Sequence, residues 1–189
     1  ITSSKSYLCI HMKDVRTIHD KQFQSYISAA EIQSAVERLA QDLEKDYQGK
    51  DMIFLSILNG SFMFMSDLLK QITIHCEMDF MKLSSYGDAK LSSGNVKMLK
   101  ELNADISERH LIVVEDIVDS GLSINYIDGL LKQFNPASIK YASLLVKPNS
   151  LKYDVKIDYI GFEITDQFVI GYGLDYAQKY RNLRAIYQL

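Results

Sequence analysis

The stretch His110–Ser123, HLIVVEDIVDSGLS, constrains this chain more than any other. Leu111 to Val114 form an unbroken apolar run suited to a buried strand. Glu115 and Asp116 follow directly. Then come Ile117, Val118, a third acid at Asp119, and the small-residue turn Ser120-Gly121-Leu122-Ser123. An amphipathic run from Ile124 to Phe134 predicts a helix. A strand that ends in acids and turns into a helix puts a polar site at the strand's carboxyl end, where open α/β sheets bind ligands. The turn can aim backbone N–H groups at a phosphate, with the helix dipole behind them. The three acids, Glu115, Asp116 and Asp119, repel one another unless a divalent cation, ribose hydroxyls or other donors balance them.

The rest of the chain holds one further strand, small-residue turn and helix unit among other strand and helix patterns. Residues 1–27 alternate weakly and predict an early strand or a pair of short strands. Ser28–Tyr47 predicts a helix: Ser28 and Glu31 form a capping-box pattern, and Ile32, Val36, Leu39, Ala40 and Leu43 form one apolar stripe that ends at Gly49. Met52–Leu58 reads as a buried strand, Asn59-Gly60-Ser61 as a turn and Phe62–Gln71 as a helix. Ile72–Leu83 alternates as a strand does. Ser84–Asn95, rich in Ser and Gly, predicts a mobile loop, with a further strand at Val96–Leu99. Pro136 stops the helix after the acidic turn. Ile139–Val146 is the next buried strand, and it ends at Lys147-Pro148.

Strands alternating with helices argue an α/β fold with a mostly parallel, doubly wound sheet. The expected core runs roughly from 28 to 150. Residues 151–189 hold short apolar pieces (Ile157–Ile164, Phe168–Ile170, Ala185–Tyr187) and one candidate helix at Tyr176–Asn182. They predict a small irregular hood lobe over the sheet's binding edge, with part of 1–27 a candidate to join it, in a single 189-residue domain.

Composition excludes several classes. The net charge of −3 and the lack of any Lys/Arg run argue against a nucleic-acid role. No apolar stretch reaches membrane-spanning length, and ITSSKSYLCIHMK lacks the apolar core of a secretory signal. Cys9 and Cys76 stand far apart with no Cys/His spacing, which predicts a reducing, cytoplasmic setting and no zinc site.

VVEDIVDSGLS resembles the phosphoribosyl-pyrophosphate signature of the type I phosphoribosyltransferases: apolar strand, paired acids, paired apolar residues, Asp, hydroxyl residue, Gly, hydroxyl residue. LNGSFMFMSDL, SSYG, LLVKP and the tail GFEITDQFVIGYGLDYAQKYRNL resemble one branch, the bacterial hypoxanthine-guanine phosphoribosyltransferases, from about residue 50 onward. The resemblance implies the type I fold. It also implies transfer of ribose 5-phosphate from phosphoribosyl pyrophosphate to N9 of hypoxanthine or guanine, with Mg²⁺, in a homodimer or homotetramer.

Matched position by position, the resemblance assigns the ribose and 5′-phosphate to Glu115, Asp116, Asp119, Ser120, Gly121, Leu122 and Ser123. Asp119 is also the residue that meets purine N7. Glu115, Asp116 and Asp175 are implied Mg²⁺ ligands. Asn59, Gly60 and Arg181 would meet the pyrophosphate, and Ser85 with Tyr86 would form a lid that keeps water from the reacting sugar. Ile117, Lys147, Phe168 and Val169 would hold the purine, Lys147 by donating to O6 and Phe168 by stacking. Asn59 and Leu122 stand where many family members carry Lys. A backbone cradle tolerates both. The rivals are a transferase preferring another base such as xanthine, a nucleotide-binding regulator of the same fold, and a Mg²⁺ hydrolase, for which DIVDSG offers no nucleophile pattern.

Overall fold

In the computed structural model the strand of the acidic stretch lies in the middle of a six-stranded sheet. The structure describes residues 14–18, 21–85, 96–100 and 102–189. Its strands are β1 (Val15–Ile18), β2 (Lys21–Ile27), β3 (Met52–Leu58), β4 (Cys76–Ser85), β5 (Val96–Lys100), β6 (His110–Val118), β7 (Ser138–Val146), β8 (Tyr159–Glu163), β9 (Val169–Ile170) and β10 (Ile186–Gln188). Its helices are α1 (Ala29–Tyr47), α2 (Phe62–Gln71) and α3 (Leu122–Leu131), the last extended by a 3₁₀ turn at Lys132–Phe134.

The large sheet has the order β5-β4-β3-β6-β7-β8. Five of these strands run parallel, and β5 is antiparallel to β4. Parallel strands buried on both faces need continuous apolar sequence, and Met52–Leu55 and Leu111–Val114 supply it. Alternate residues divide between the faces. Met52, Phe54, Ile112, Val114, Ala142 and Leu144 pack with α1 and α2; Ile53, Leu55, Leu111, Val113 and Tyr141 pack with α3. Helices on both faces are the doubly wound arrangement that the strand–helix alternation predicts.

The capping box of α1 forms as expected. The Glu31 N–H donates to Ser28 Oγ at 3.2 Å, and the Ser28 N–H donates to Glu31 Oε2 at 2.8 Å. Every residue of the expected stripe is buried.

Three expectations need correction. The parallel part of the sheet does not stop near residue 150, because β8 pairs with β7 as its fifth parallel strand. The hood is not irregular: β1, β2, β10 and β9 form a four-stranded antiparallel sheet, so residues 15–27 and 169–188 build it together. Tyr176–Asn182 is not a helix. Tyr176 and Lys179 exchange backbone hydrogen bonds of 3.1 Å around Ala177 and Gln178, whose φ values are 51° and 64°. Two consecutive positive φ angles make a tight reversal of the hairpin kind, which no helix contains. Among the described residues no helix is long and apolar enough to cross a membrane.

Candidate active site

The chain passes from β3 to β4 on one side and then to β6 on the other, so the strand order reverses between β3 and β6. The carboxyl ends of both strands open into this reversal, which is where ligands enter such sheets. The turn after β3 and the acidic turn after β6 are therefore neighbours, although 56 residues separate Asn59 from Glu115 in the chain.

Contact between them is close. A Cβ added to Gly60 would lie 1.6 Å from Asp116 Oδ2, so the Gly60 backbone rests against that carboxylate. On the other side, a Cβ added to Gly173 would lie 2.0 Å from the Gly60 carbonyl oxygen. Gly173, at φ 100°, is the hood's contact with this turn; the expected site did not include it. The Leu58–Asn59 peptide is cis. Ser61 is fully buried; its hydroxyl meets Ser56 Oγ at 2.7 Å and the Ile57 carbonyl, so it braces the turn from below rather than capping α2 through its side chain.

Glu115 and Asp116, among the last residues of β6, sit in a dry setting. Glu115 is buried, and burial followed by the charge of Asp116 pushes its carboxyl well above the usual carboxylate range. Burial also raises Asp116 to about 6, opposed by backbone hydrogen bonds and the Arg181 charge and reinforced by Asp175. The Ile117 N–H donates to Asp116 Oδ1 at 3.0 Å. Arg181 and Asp175 thus bear on the acidic turn from the hood. Their own geometry is tight: Arg181 Nη2 lies 2.8 Å from Asp175 Oδ1, and Arg181 Nη1 donates to the Gly173 carbonyl at 2.7 Å.

Among the described residues no three acidic, His or Cys side chains converge to hold a metal by themselves. The oxygen-only donor set of Glu115, Asp116 and Asp175 nevertheless suits Mg²⁺, which binds through one or two carboxylates and takes its remaining ligands from substrate phosphates and water. A cation there would favour the ionised form of Glu115 and Asp116, whose carboxyls burial raises.

The turn to α3 is shaped as a cradle. Gly121 adopts φ 80° and ψ 0°, and a Cβ there would lie 2.9 Å from Val155 Cγ2. The Ser120 carbonyl accepts the N–H groups of Lys152 at 3.0 Å and Tyr153 at 3.3 Å, so the 151–155 segment backs the turn. The Leu122 N–H donates to Ser120 Oγ at 3.4 Å, and Ser123, in the first turn of α3, is exposed. Asp119 is exposed at the mouth.

Lys147 ends β7, beside the end of β6. Its N–H donates to the Val118 carbonyl at 2.9 Å, and its Nζ lies 2.9 Å from Asp119 Oδ2. Ile117 is partly buried against the α1–α2 face. Phe168 keeps 44% of its surface exposed. Val169 is buried on β9, the edge strand of the hood sheet. The Leu189 N–H donates to the Phe168 carbonyl at 3.0 Å, which makes Phe168–Leu189 a hydrogen-bonded pair. The next pair, Val169–Gln188, is then the non-bonded kind, and the Val169 N–H and C=O point away from β10 to the open edge. Ser85 is the last residue of β4, but its side chain and all of Tyr86 lie outside the described residues, so the expected lid is not placed.

Residues 26–177 match the family model of the phosphoribosyl transferase domain. The chain is 46% identical over 157 residues to the hypoxanthine-guanine phosphoribosyltransferase of Bacillus subtilis, covering 83% of this chain and 87% of that protein. It is 39% identical over 184 residues to the bifunctional protein TilS/HprT of Listeria monocytogenes, covering 96% of this chain but only 28% of that longer protein. A crystal structure of a hypoxanthine phosphoribosyltransferase from Staphylococcus aureus superposes with a TM-score of 0.84 at 41% identity, over 87% of this chain and 90% of the other.

Proposed function

The chain belongs to the phosphoribosyltransferase family, and from that premise we propose that it transfers ribose 5-phosphate from phosphoribosyl pyrophosphate to N9 of hypoxanthine or guanine. The products are the purine mononucleotide and pyrophosphate, as in purine salvage. The observation that carries the choice of base is the Lys147–Asp119 pair: a cation donor and a carboxylate acceptor, 2.9 Å apart, at the mouth of adjacent strands.

A 6-oxopurine presents O6 and N7 side by side. Lys147 donates to O6, and Asp119 takes the hydrogen at N7 as N9 closes on the sugar's C1 and the bond to pyrophosphate breaks. A 6-amino group would turn hydrogens toward the Lys147 ammonium, which disfavours adenine. Phe168 stacks on the base, Val169 offers its outward backbone groups to the base edge, and Ile117 covers the opposite face. The Ser120–Ser123 turn and the α3 N-terminus hold the 5′-phosphate. The Asn59-Gly60 backbone and Arg181 hold the pyrophosphate. Glu115 and Asp116 hold the ribose hydroxyls, and with Asp175 they would hold Mg²⁺ together with substrate oxygens. The ion, when bound, offsets the charge of the departing pyrophosphate. The enzyme works as a homodimer or homotetramer. What this chain's own residues contribute is mainly position and charge.

The test is a spectrophotometric assay with phosphoribosyl pyrophosphate and Mg²⁺, offering hypoxanthine, guanine, xanthine and adenine separately. Turnover of hypoxanthine or guanine, lost on chelation and restored by added Mg²⁺, is the expected result. Turnover of xanthine or adenine alone would reassign the base. No turnover of any base would overturn the reading.

A further inference from the structure

We propose that Tyr176 is a positioning residue for the purine subsite: its ring holds the Phe168 ring in a fixed orientation by meeting it edge to face. The inference rests on the reading of Phe168 as the residue that stacks on the base.

A stacking ring must present one open face at a set angle. Phe168 is 44% exposed, so burial alone does not hold it. Among the described residues, Phe23 and Tyr176 flank it. Phe23 of β2, fully buried, lies 6.3 Å away at 60°, and Tyr176 lies 5.7 Å away at 75°. Neither ring is parallel to Phe168, so neither is stacked on its face. Edge-to-face pairs at these separations are the attractive geometry for aromatic rings.

Tyr176 is itself restrained. Its backbone is tied across the tight turn to Lys179 by paired 3.1 Å hydrogen bonds. Its ring also meets Phe23 at 6.3 Å, and the Lys21 ammonium lies 5.7 Å from its centroid. The residue before it, Asp175, pairs with Arg181 on the pyrophosphate side. One turn therefore sets a group for each substrate: Asp175 for the donor and, through Phe168, Tyr176 for the base. Strand β2 contributes from the far end of the chain, since Phe23 underlies both rings.

The experiment is steady-state kinetics on Tyr176→Leu, Tyr176→Phe, Phe168→Leu and the double variant Phe168→Leu/Tyr176→Leu. Tyr176→Leu is expected to raise KM for hypoxanthine about three- to tenfold, in line with the strength of one aromatic pair. KM for phosphoribosyl pyrophosphate should stay within about twofold, and Tyr176→Phe, which keeps the ring edge, should restore the parent purine KM. In the Phe168→Leu background the Tyr176→Leu change should add little, because its route to the base is gone. An unchanged purine KM in Tyr176→Leu, or equal effects with and without Phe168, would overturn the inference. A rise confined to the donor KM would do the same and assign Tyr176 to the Asp175–Arg181 turn. If leucine lowers the melting temperature severely, Tyr176→Met, whose flexible unbranched side chain fills irregular gaps, takes its place in the same cycle. Failure of the parent enzyme to use any purine would instead remove the reading on which the inference stands.

Discussion

The Lys147 ammonium sits 2.9 Å from the Asp119 carboxylate, joining the end of β7 to the turn after β6. The Lys147 side chain is only 9% exposed and that of Asp119 is 55% exposed, so the pair has a dry end and a wet end. A nearly buried ammonium needs a partner, and here the partner is the group assigned to purine N7. On the proposed reading, the donor for O6 and the acceptor for N7 stand side by side before the base binds.

Asp119→Asn should lower turnover by about a hundredfold or more, the usual contribution of one acid–base group. The fold should survive, because Asp119 is exposed and asparagine can still accept a hydrogen bond from Lys147. Rapid-quench or steady-state rates beside a circular dichroism spectrum check both halves. Near-parent turnover would take Asp119 out of the chemistry.

Lys147→Gln should weaken the preference for 6-oxo over 6-amino purines. The carboxamide offers an acceptor as well as donors, so adenine loses part of its penalty. Ratios of kcat/KM for hypoxanthine and adenine measure it. An unchanged ratio would mean that another group discriminates.

Gly60→Ala should raise KM for phosphoribosyl pyrophosphate at least about tenfold, with a smaller change for the purine. The new Cβ, 1.6 Å from Asp116 Oδ2, has to push the turn and the acid apart. A displacement of about an ångström at such a site is enough to cost a large factor in rate. Separate KM values for the two substrates test it, and equal effects on both would point to a general loss of structure.

Asp158→Asn should lower stability by about 1.5–3 kcal/mol at neutral pH, the range for hydrogen bonds to charged groups. Burial pushes Asp158 up, but Lys140 at 2.7 Å, the Tyr141 N–H at 3.1 Å and Lys156 at 3.2 Å outweigh it and leave its carboxyl below the usual range. A carboxyl lowered in the folded state stabilises the protein fully above its unfolded value, about 3.9, and loses that contribution as pH falls through the folded value. The gap between parent and variant should therefore be constant near neutrality and shrink only in acid. Urea midpoints across a pH series report it, and a gap that widens in acid would contradict the sign.

What the sequence determined by itself was what short-range chemistry decides. The strand at Leu111–Val114, the turn Asp119–Ser123 and the helix behind it follow from apolar runs and small residues, and the capping box at Ser28 from a three-residue spacing. Period-two and period-3.6 patterns are local, so they are visible in one chain. The tertiary structure alone decided the hood and its contacts. Strands β2 and β10 meet across some 160 residues, and nothing in the short strand Ile186–Gln188 names its partner. The reversal at Tyr176–Lys179 is set by backbone angles that Ala177 and Gln178 seldom adopt, so their residue types predicted a helix instead. The placement of Gly173 on Gly60, and of Gly60 on Asp116, likewise depends on how two sheets come together. Acids, glycines and the lone Lys147 could be read as candidates in the sequence; which of them touch is a matter of packing between distant segments, and packing carries no periodic signal.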